Sequence, residues 1–280
     1  MKHAFLILAH NEWELLRVLL GCLDDSRNDI YVHIDAKVEE LPELHCDKAR
    51  LTVLGNRVDV RWGDISMVKA EYALFEAALA KGGYAYYHLL SGVDLPLKDQ
   101  DFIHGFFERN AGKEFIGYTL TGITPEIVRK AMRWHLFPES FRDAGPVKRL
   151  LRSAFLKVQE LLGIKRNRKL DIKKGSQWVS VTEEMAKLFV SSKKQILKSF
   201  SHTFCSDEMV MQTLCWNSPL GANIFDRSDD ARGCMRAIGW KDGCLHDWSA
   251  EDLPLLKASP ALFARKFNSK DMNFIHNIIS

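Results

Sequence analysis

The chain has 280 residues, 46% of them hydrophobic and 27% charged, with 16 Phe, 7 Trp and 6 Tyr. This is ordinary globular composition, which excludes a disordered, collagen-like or coiled-coil chain, and the length is ample for a core of its own. A formal net charge of +3 is too small for a whole-protein nucleic-acid binder.

The first hundred residues alternate between strand-like and helix-like patterns. Residues 4–9 form an apolar run that predicts a buried strand, and residues 12–23 a helix with Trp13, Leu16, Leu19, Leu20 and Leu23 on one face. Residues 30–34 predict a second strand ended by Asp35, and residues 51–54 and 58–61 a short third and fourth. Ser66 is the expected N-cap of a helix through Leu79, closed by Gly82-Gly83. Residues 86–90 predict another strand, followed by the turn-like Ser91-Gly92-Val93-Asp94-Leu95-Pro96. Further strands are expected at 115–120 and 178–181, then a helix from Thr182 and a short helix over 207–216. The tail from Cys234 is expected to be loop-like, with a last helix near 269–278.

This alternation predicts an α/β fold with a largely parallel sheet. No repeat or linker divides the chain, so one domain is expected over 1–280, with a nucleotide-binding half near 1–115 and an acceptor half near 116–280. Ligands of such sheets gather at the carboxyl ends of the strands. His10, Asn11, Asp35, Trp62, Asp64, Ser91 and Asp94 fall there. They are candidates for one site.

Phosphate-loop, dinucleotide, serine-hydrolase and zinc-protease signatures are absent from the sequence. Asp99-Gln100-Asp101 is the one Asp-x-Asp of the kind that holds a divalent metal for nucleotide sugars. It opens an apolar-periodic stretch, where Asp99 as N-cap and Asp101 in the first turn is the structural alternative. Ser206-Asp207-Glu208 likewise precedes an apolar helical pattern, so its acids either favour the helix N-terminus or position a base beside a cleft. The six cysteines contain no C-x-x-C pair, which points to reduced thiols in a cytoplasmic protein. No apolar run has the length of a membrane span, and none has the pattern of a signal peptide.

Seven segments, in order along nearly the whole chain, resemble the core-2/I-branching family of β-1,6-N-acetylglucosaminyltransferases and the related peptide O-xylosyltransferases. They are Ile7-Leu8-Ala9-His10-Asn11, Tyr31-Val32-His33-Ile34-Asp35-Ala36-Lys37, Trp62-Gly63-Asp64-Ile65-Ser66, and Leu90-Ser91-Gly92-Val93-Asp94-Leu95-Pro96-Leu97-Lys98. Gly175-Ser176-Gln177-Trp178, Ser206-Asp207-Glu208 and Leu262-Phe263-Ala264-Arg265-Lys266-Phe267 complete the set.

The resemblance implies a GT-A fold, a UDP-sugar donor, inversion at the anomeric carbon and no metal or other cofactor. It implies Glu208 as catalytic base, and Arg236 and Lys266 as the basic pair that stabilises the leaving diphosphate. Two solvated surface cations are the alternative for that pair. Asp35 resembles the residue that hydrogen-bonds uracil. Trp62 is either an aromatic near the nucleotide or a core residue, and His10 either lines the uridine pocket or is structural. Asn11 and Ser66 fall on the donor side. Ser91, Asp94, Trp178 and Asp207 fall on the sugar or acceptor side, with turn capping the alternative for Asp94 and a core role for Trp178. GlcNAc is the expected sugar, xylose or a non-catalytic sugar-binding relative the alternatives. The sequence lacks the cysteine framework of the animal enzymes and resembles a bacterial member acting on a glycan or lipid-linked glycan.

Between Lys148 and Lys174, ten Lys/Arg stand against Glu160 and Asp171, a local charge of +8. Leu151, Phe155, Val158 and Leu162 have helical spacing there. One reading is a basic amphipathic helix peripheral on the inner face of the cytoplasmic membrane. The other is a helix packed on the domain, followed by a solvated loop at 165–174. No nucleic-acid module accompanies the charge.

Overall fold

The computed structural model describes residues 1–119, 122, 124–241 and 244–279. The chain runs β1 (His3–Ala9), α1 (Trp13–Leu23), β2 (Asn28–Ile34), β3 (Arg50–Val53), α2 (Ser66–Lys81), β4 (Tyr86–Ser91), β5 (Leu95–Pro96) and α3 (Gln100–Arg109). It continues through α4 (Pro125–Ala131), α5 (Pro146–Leu161), β6 (Ser180–Thr182), α6 (Glu183–Ser191), α7 (Lys193–Phe200) and α8 (Val210–Trp216). It ends with α9 (Asp230–Cys234), β7 (Arg236–Ile238), β8 (Trp240–Lys241), β9 (Cys244–Leu245), α10 (Leu253–Ala258), β10 (Phe263–Arg265) and α11 (Met272–Ile279).

The main sheet has the order β3-β2-β1-β4-β6. β1 is parallel to both β2 and β4, β2 is parallel to β3, and β6 runs antiparallel to β4. Every residue of β1 is buried because helices cover both faces. Successive side chains of a strand point to opposite faces. Phe5, Ile7 and Ala9 therefore pack with Leu15, Leu16 and Leu19 of α1, while Ala4, Leu6 and Leu8 pack with Tyr72, Leu74 and Phe75 of α2. Fully burying such a Leu or Phe contributes roughly 1.5–3 kcal/mol. Tyr72 also stacks on Phe189 of α6, with centroids 4.1 Å apart.

Several expected elements differ. Residues 58–61 form a loop, not a strand, because their polar groups are taken by side chains: Val58 N–H donates to His33 Nε2, and the Val60 carbonyl accepts Lys37 Nζ. The strand expected at 115–120 reduces to bridges at Glu114 and Phe115, and Leu120 lies outside the described residues. Ser66 is the first helical residue, with Ile65 at the N-cap and the Asp64 carboxylate accepting the Ser66 N–H at 3.0 Å. The helix expected at 207–216 is a 3₁₀ turn, Ser206–Glu208, followed by α8. The tail is not loop-like. β5, β10 and β7 make a second sheet that ties it to the segment after β4.

The expected helix is present as α5; of residues 165–174, Lys165, Arg168, Lys169 and Asp171 are exposed as in the solvated-loop reading, while the others are partly or fully buried. Arg166 stacks on Trp134 at 4.3 Å, and Ile172 is fully buried. All six cysteines are free thiols; Cys205, Cys215 and Cys234 are buried and Cys244 is exposed. Among the described residues no helix is long and apolar enough to cross a membrane.

Candidate active site

The register of the sheet assembles one polar edge. Ala9 pairs with Ile34 and Leu8 with Ser91, so β1, β2 and β4 end level with one another. The chain leaves at His10 and Asn11, at Asp35 and at Ser91. Asp35 N–H donates to the Ala9 carbonyl at 3.0 Å and Gly92 N–H to the Leu8 carbonyl at 2.8 Å, which fixes the loops against each other. His10 and Asn11 are exposed. The buried Asp35 carboxylate accepts the Lys37 N–H at 2.9 Å and Lys37 Nζ at 2.7 Å. Trp62 is 54% exposed, so the core reading fails for it; its ring meets Phe204 edge-on at 5.2 Å.

The Glu208 turn is docked on this edge by backbone. Gly63, at φ 77°, accepts the Cys205 N–H at 3.0 Å, and a Cβ on Gly63 would stand 2.7 Å from Phe204. The Glu208 carbonyl accepts the Gly175 N–H at 2.9 Å. The Glu208 carboxylate lies 3.5 Å from Lys174 Nζ and 3.8 Å from Lys130 Nζ, and its Oε2 has no hydrogen-bond partner. Both lysines also hold Glu126, whose carboxyl they pull down to about 2. Burial disfavours the Lys174 charge, but Glu208 and Glu126 outweigh it and raise its ammonium above the ordinary range. Burial, then the adjacent Glu208 charge, push the Asp207 carboxyl up to about 7. Glu71, on the buried face of α2, accepts Gln177 Nε2 at 2.6 Å; burial and Asp207 hold its carboxyl well above the carboxylate range.

A second cluster forms where the small sheet meets the loop after β4. Asp94 is fully buried, accepts the Ser91 N–H at 3.0 Å and bonds Ser91 Oγ at 2.5 Å, so it does cap the turn. Arg265 Nε donates to Asp94 at 3.2 Å, and its guanidinium covers the buried Trp178 ring at 4.1 Å. Lys266 is partly exposed and pairs with Asp247 at 3.3 Å. Arg236 is neither a solvated surface cation nor open to a cleft. It is 1% exposed, donates to the carbonyls of Cys234 and Val179 and to Ser180 Oγ, and lies 4.5 Å over Phe263. Burial pulls its guanidinium down to about 10. Its two Nη atoms serve these three acceptors, and its Nε, without a partner, is enclosed in the interior.

Asp99-Gln100-Asp101 lies elsewhere. Asp99 caps α3 by accepting the Phe102 N–H at 2.7 Å, as its spacing predicts, and Asp101 pairs with Arg27 at 2.7 Å. Gln100 accepts from Asn28, the first residue of β2, which is the opposite end of the sheet from Asp35. Among the described residues no group of three or more His, Cys, Asp or Glu is placed to hold a metal ion.

The sequence model of the Core-2/I-Branching enzyme family matches residues 3–257. The chain belongs to that family. Its members are glycosyltransferases, and this chain is a glycosyltransferase; the family implies a sugar-nucleotide donor and a glycan acceptor. No curated protein matches the sequence.

In this core-2/I-branching enzyme a cavity of about 530 Å³ adjoins the Glu208 cluster. It takes Glu126, Arg129 and Lys130 from α4, Arg152 and Leu156 from α5, and Phe141 and Phe204 from the loops. Sequence reasoning missed Lys130, Lys174, Arg265 and Glu71. Glu71 carried a signal: it occupies an i, i+3 position between the buried Val68 and Leu74, where an acid has no bland reason to stand. The lysines carried none: Lys174 is one of the ten cations between 148 and 174, and Lys130 stands beside Arg129 in the last turn of α4, where cations are ordinary.

Proposed function

We propose that the enzyme is an inverting, metal-independent transferase of GT-A fold. It moves a sugar, GlcNAc before others, from a UDP-sugar to a hydroxyl of a glycan or lipid-linked glycan. Glu208 is the general base: it takes the acceptor proton as that oxygen bonds to the anomeric carbon, while the carbon–oxygen bond to UDP breaks on the opposite face. The observation that carries this reading is the Glu208 carboxylate itself, with Oε2 ion-paired to Lys174 at 3.5 Å and Lys130 at 3.8 Å but without a hydrogen bond, on a turn bonded to the loops of the sheet edge.

Asp35 accepts from the uracil, and His10, Asn11, Trp62 and Ser66 surround the uridine. Ser91 and Asp207 form the sugar and acceptor side, with Asp94 and Trp178 supporting it from within, Asp94 by holding Ser91 and Arg265 and Trp178 under the Arg265 guanidinium. Lys266 meets the growing diphosphate charge, a task in which a preformed cation does what a metal does elsewhere. Arg236 acts from beneath, by holding β6 to β7 through Val179 and Ser180.

Calorimetric titration of a UDP-sugar panel in EDTA tests the donor. Saturable binding of UDP-GlcNAc is expected. Preference for UDP-xylose would replace the sugar while keeping the mechanism, and binding only when manganese is restored would contradict it.

A further inference from the structure

The outer face of α5 is not covered. Val147, Leu150, Leu151, Val158, Leu161 and Leu162 are 49–75% exposed. Their spacing of three, four, eleven, fourteen and fifteen residues from Val147 sets them in one stripe along the helix. Seven of the sixteen large apolar side chains exposed among the described residues fall between Val147 and Ile164, so this is a patch and not scattered surface. The opposite face buries only Leu156 and Gln159.

The charge around the stripe is predominantly positive, with Asp143 and Glu160 the acids of residues 142–165. Lys148, Arg149, Lys157 and Lys165 are exposed beside it, and Glu160, the acid within the helix, is already paired with Lys157 at 3.3 Å and Arg133 at 3.8 Å. Two copies meeting through this face would bring cations against cations, whereas an acidic headgroup layer complements them. A large apolar stripe flanked by Lys and Arg on a helix with a narrow inner face is the pattern of a helix lying in a bilayer interface.

We propose that α5 docks the enzyme on an anionic phospholipid surface, with its apolar stripe in the headgroup–acyl boundary and its cations on the lipid phosphates. Arg152 and Leu156 on the inner side of the same helix line the cavity that shares Lys130 with Glu208. Docking therefore brings the reaction cavity to the lipid, where a lipid-linked acceptor is found. The docking goes beyond the proposed transfer chemistry and stands whether or not the donor assignment holds.

Sedimentation with vesicles of mixed phosphatidylglycerol and phosphatidylcholine tests it, with pure phosphatidylcholine as control. The expected result is binding to the anionic vesicles at least about tenfold stronger than to the neutral ones, and release when salt is raised to about 0.5 M. L150E/L161E and K148A/R149A each abolish or strongly weaken it, while their UDP affinity stays at the wild-type value, which shows an intact fold. No binding to anionic vesicles, or full binding by L150E/L161E, overturns the proposal. A wild-type dimer that L150E/L161E converts to monomer, without vesicle binding, assigns the stripe to a second copy instead and also overturns it.

Discussion

The Glu208 carbonyl and the Gly175 N–H are joined by a 2.9 Å hydrogen bond, and Gly175 is in turn packed face to face with Gly117: a Cβ on Gly175 would lie 2.0 Å from the Gly117 carbonyl oxygen. A Cβ on Gly117 would likewise lie 2.3 Å from Asp230 Oδ1, which accepts the Ser176 N–H. The position of the candidate base thus depends on two backbones approaching more closely than any side chain allows.

Gly175→Ala should accordingly cost about 3 kcal/mol of stability, at the upper end of ordinary overpacking, and lower transfer further by displacing Glu208. Gly145→Ala is the control, since nothing lies within 4 Å of a Cβ there. Urea denaturation measures both. Equal stability of the two variants would refute the packing argument.

Asp207 supplies a pH prediction. Its carboxyl titrates near 7 when folded and near 3.8 when unfolded. Below both values the proton is bound in either state and the site contributes no penalty. As pH rises through this window the unfolded state ionises first, and stability is lost. Asp207→Asn should therefore melt higher than wild type at pH 8, with the gap closing by about pH 4. A gap independent of pH would contradict the assignment.

The two cations named by the family pattern should separate cleanly. Arg236→Ala removes the Arg236 hydrogen bond to the buried Cys234 carbonyl and one of two bonds at each of the Val179 carbonyl, which keeps the Leu89 N–H, and Ser180 Oγ, which keeps His88 Nδ1, at a cost of about 2 kcal/mol. Lys266→Ala should leave the melting temperature almost unchanged, because its pairing with Asp247 is partly exposed. It should weaken UDP binding more than uridine binding. Equal losses for the two ligands in isothermal titration would remove Lys266 from the diphosphate.

Much of the fold was legible because its signals are local. The apolar run of β1 and the periodicity of α1 mark a strand and a helix without reference to anything distant, and the level strand ends then follow from parallel pairing. Residues 58–61 misled because their alternation is real while their backbone groups are claimed by His33 and Lys37. β7 and β10 were missed because segments of three residues carry no period; only pairing with each other and with β5 makes them strands. Within the site, Asp35, Ser91 and Glu208 stood out through motif and position. The burial of Arg236 did not, since Val179 and Ser180 are 57 and 56 residues away in the chain. A cation is read as surface until its partners are known.

The base assignment is tested most directly by UDP-GlcNAc hydrolysis, which needs no acceptor beyond water. Wild-type enzyme and Glu208→Gln should bind UDP-GlcNAc with the same affinity by calorimetry, while the variant releases UDP about 10²–10⁴-fold more slowly. Hydrolysis by Glu208→Gln at the wild-type rate, with binding intact, would contradict the role of Glu208 and with it the mechanism.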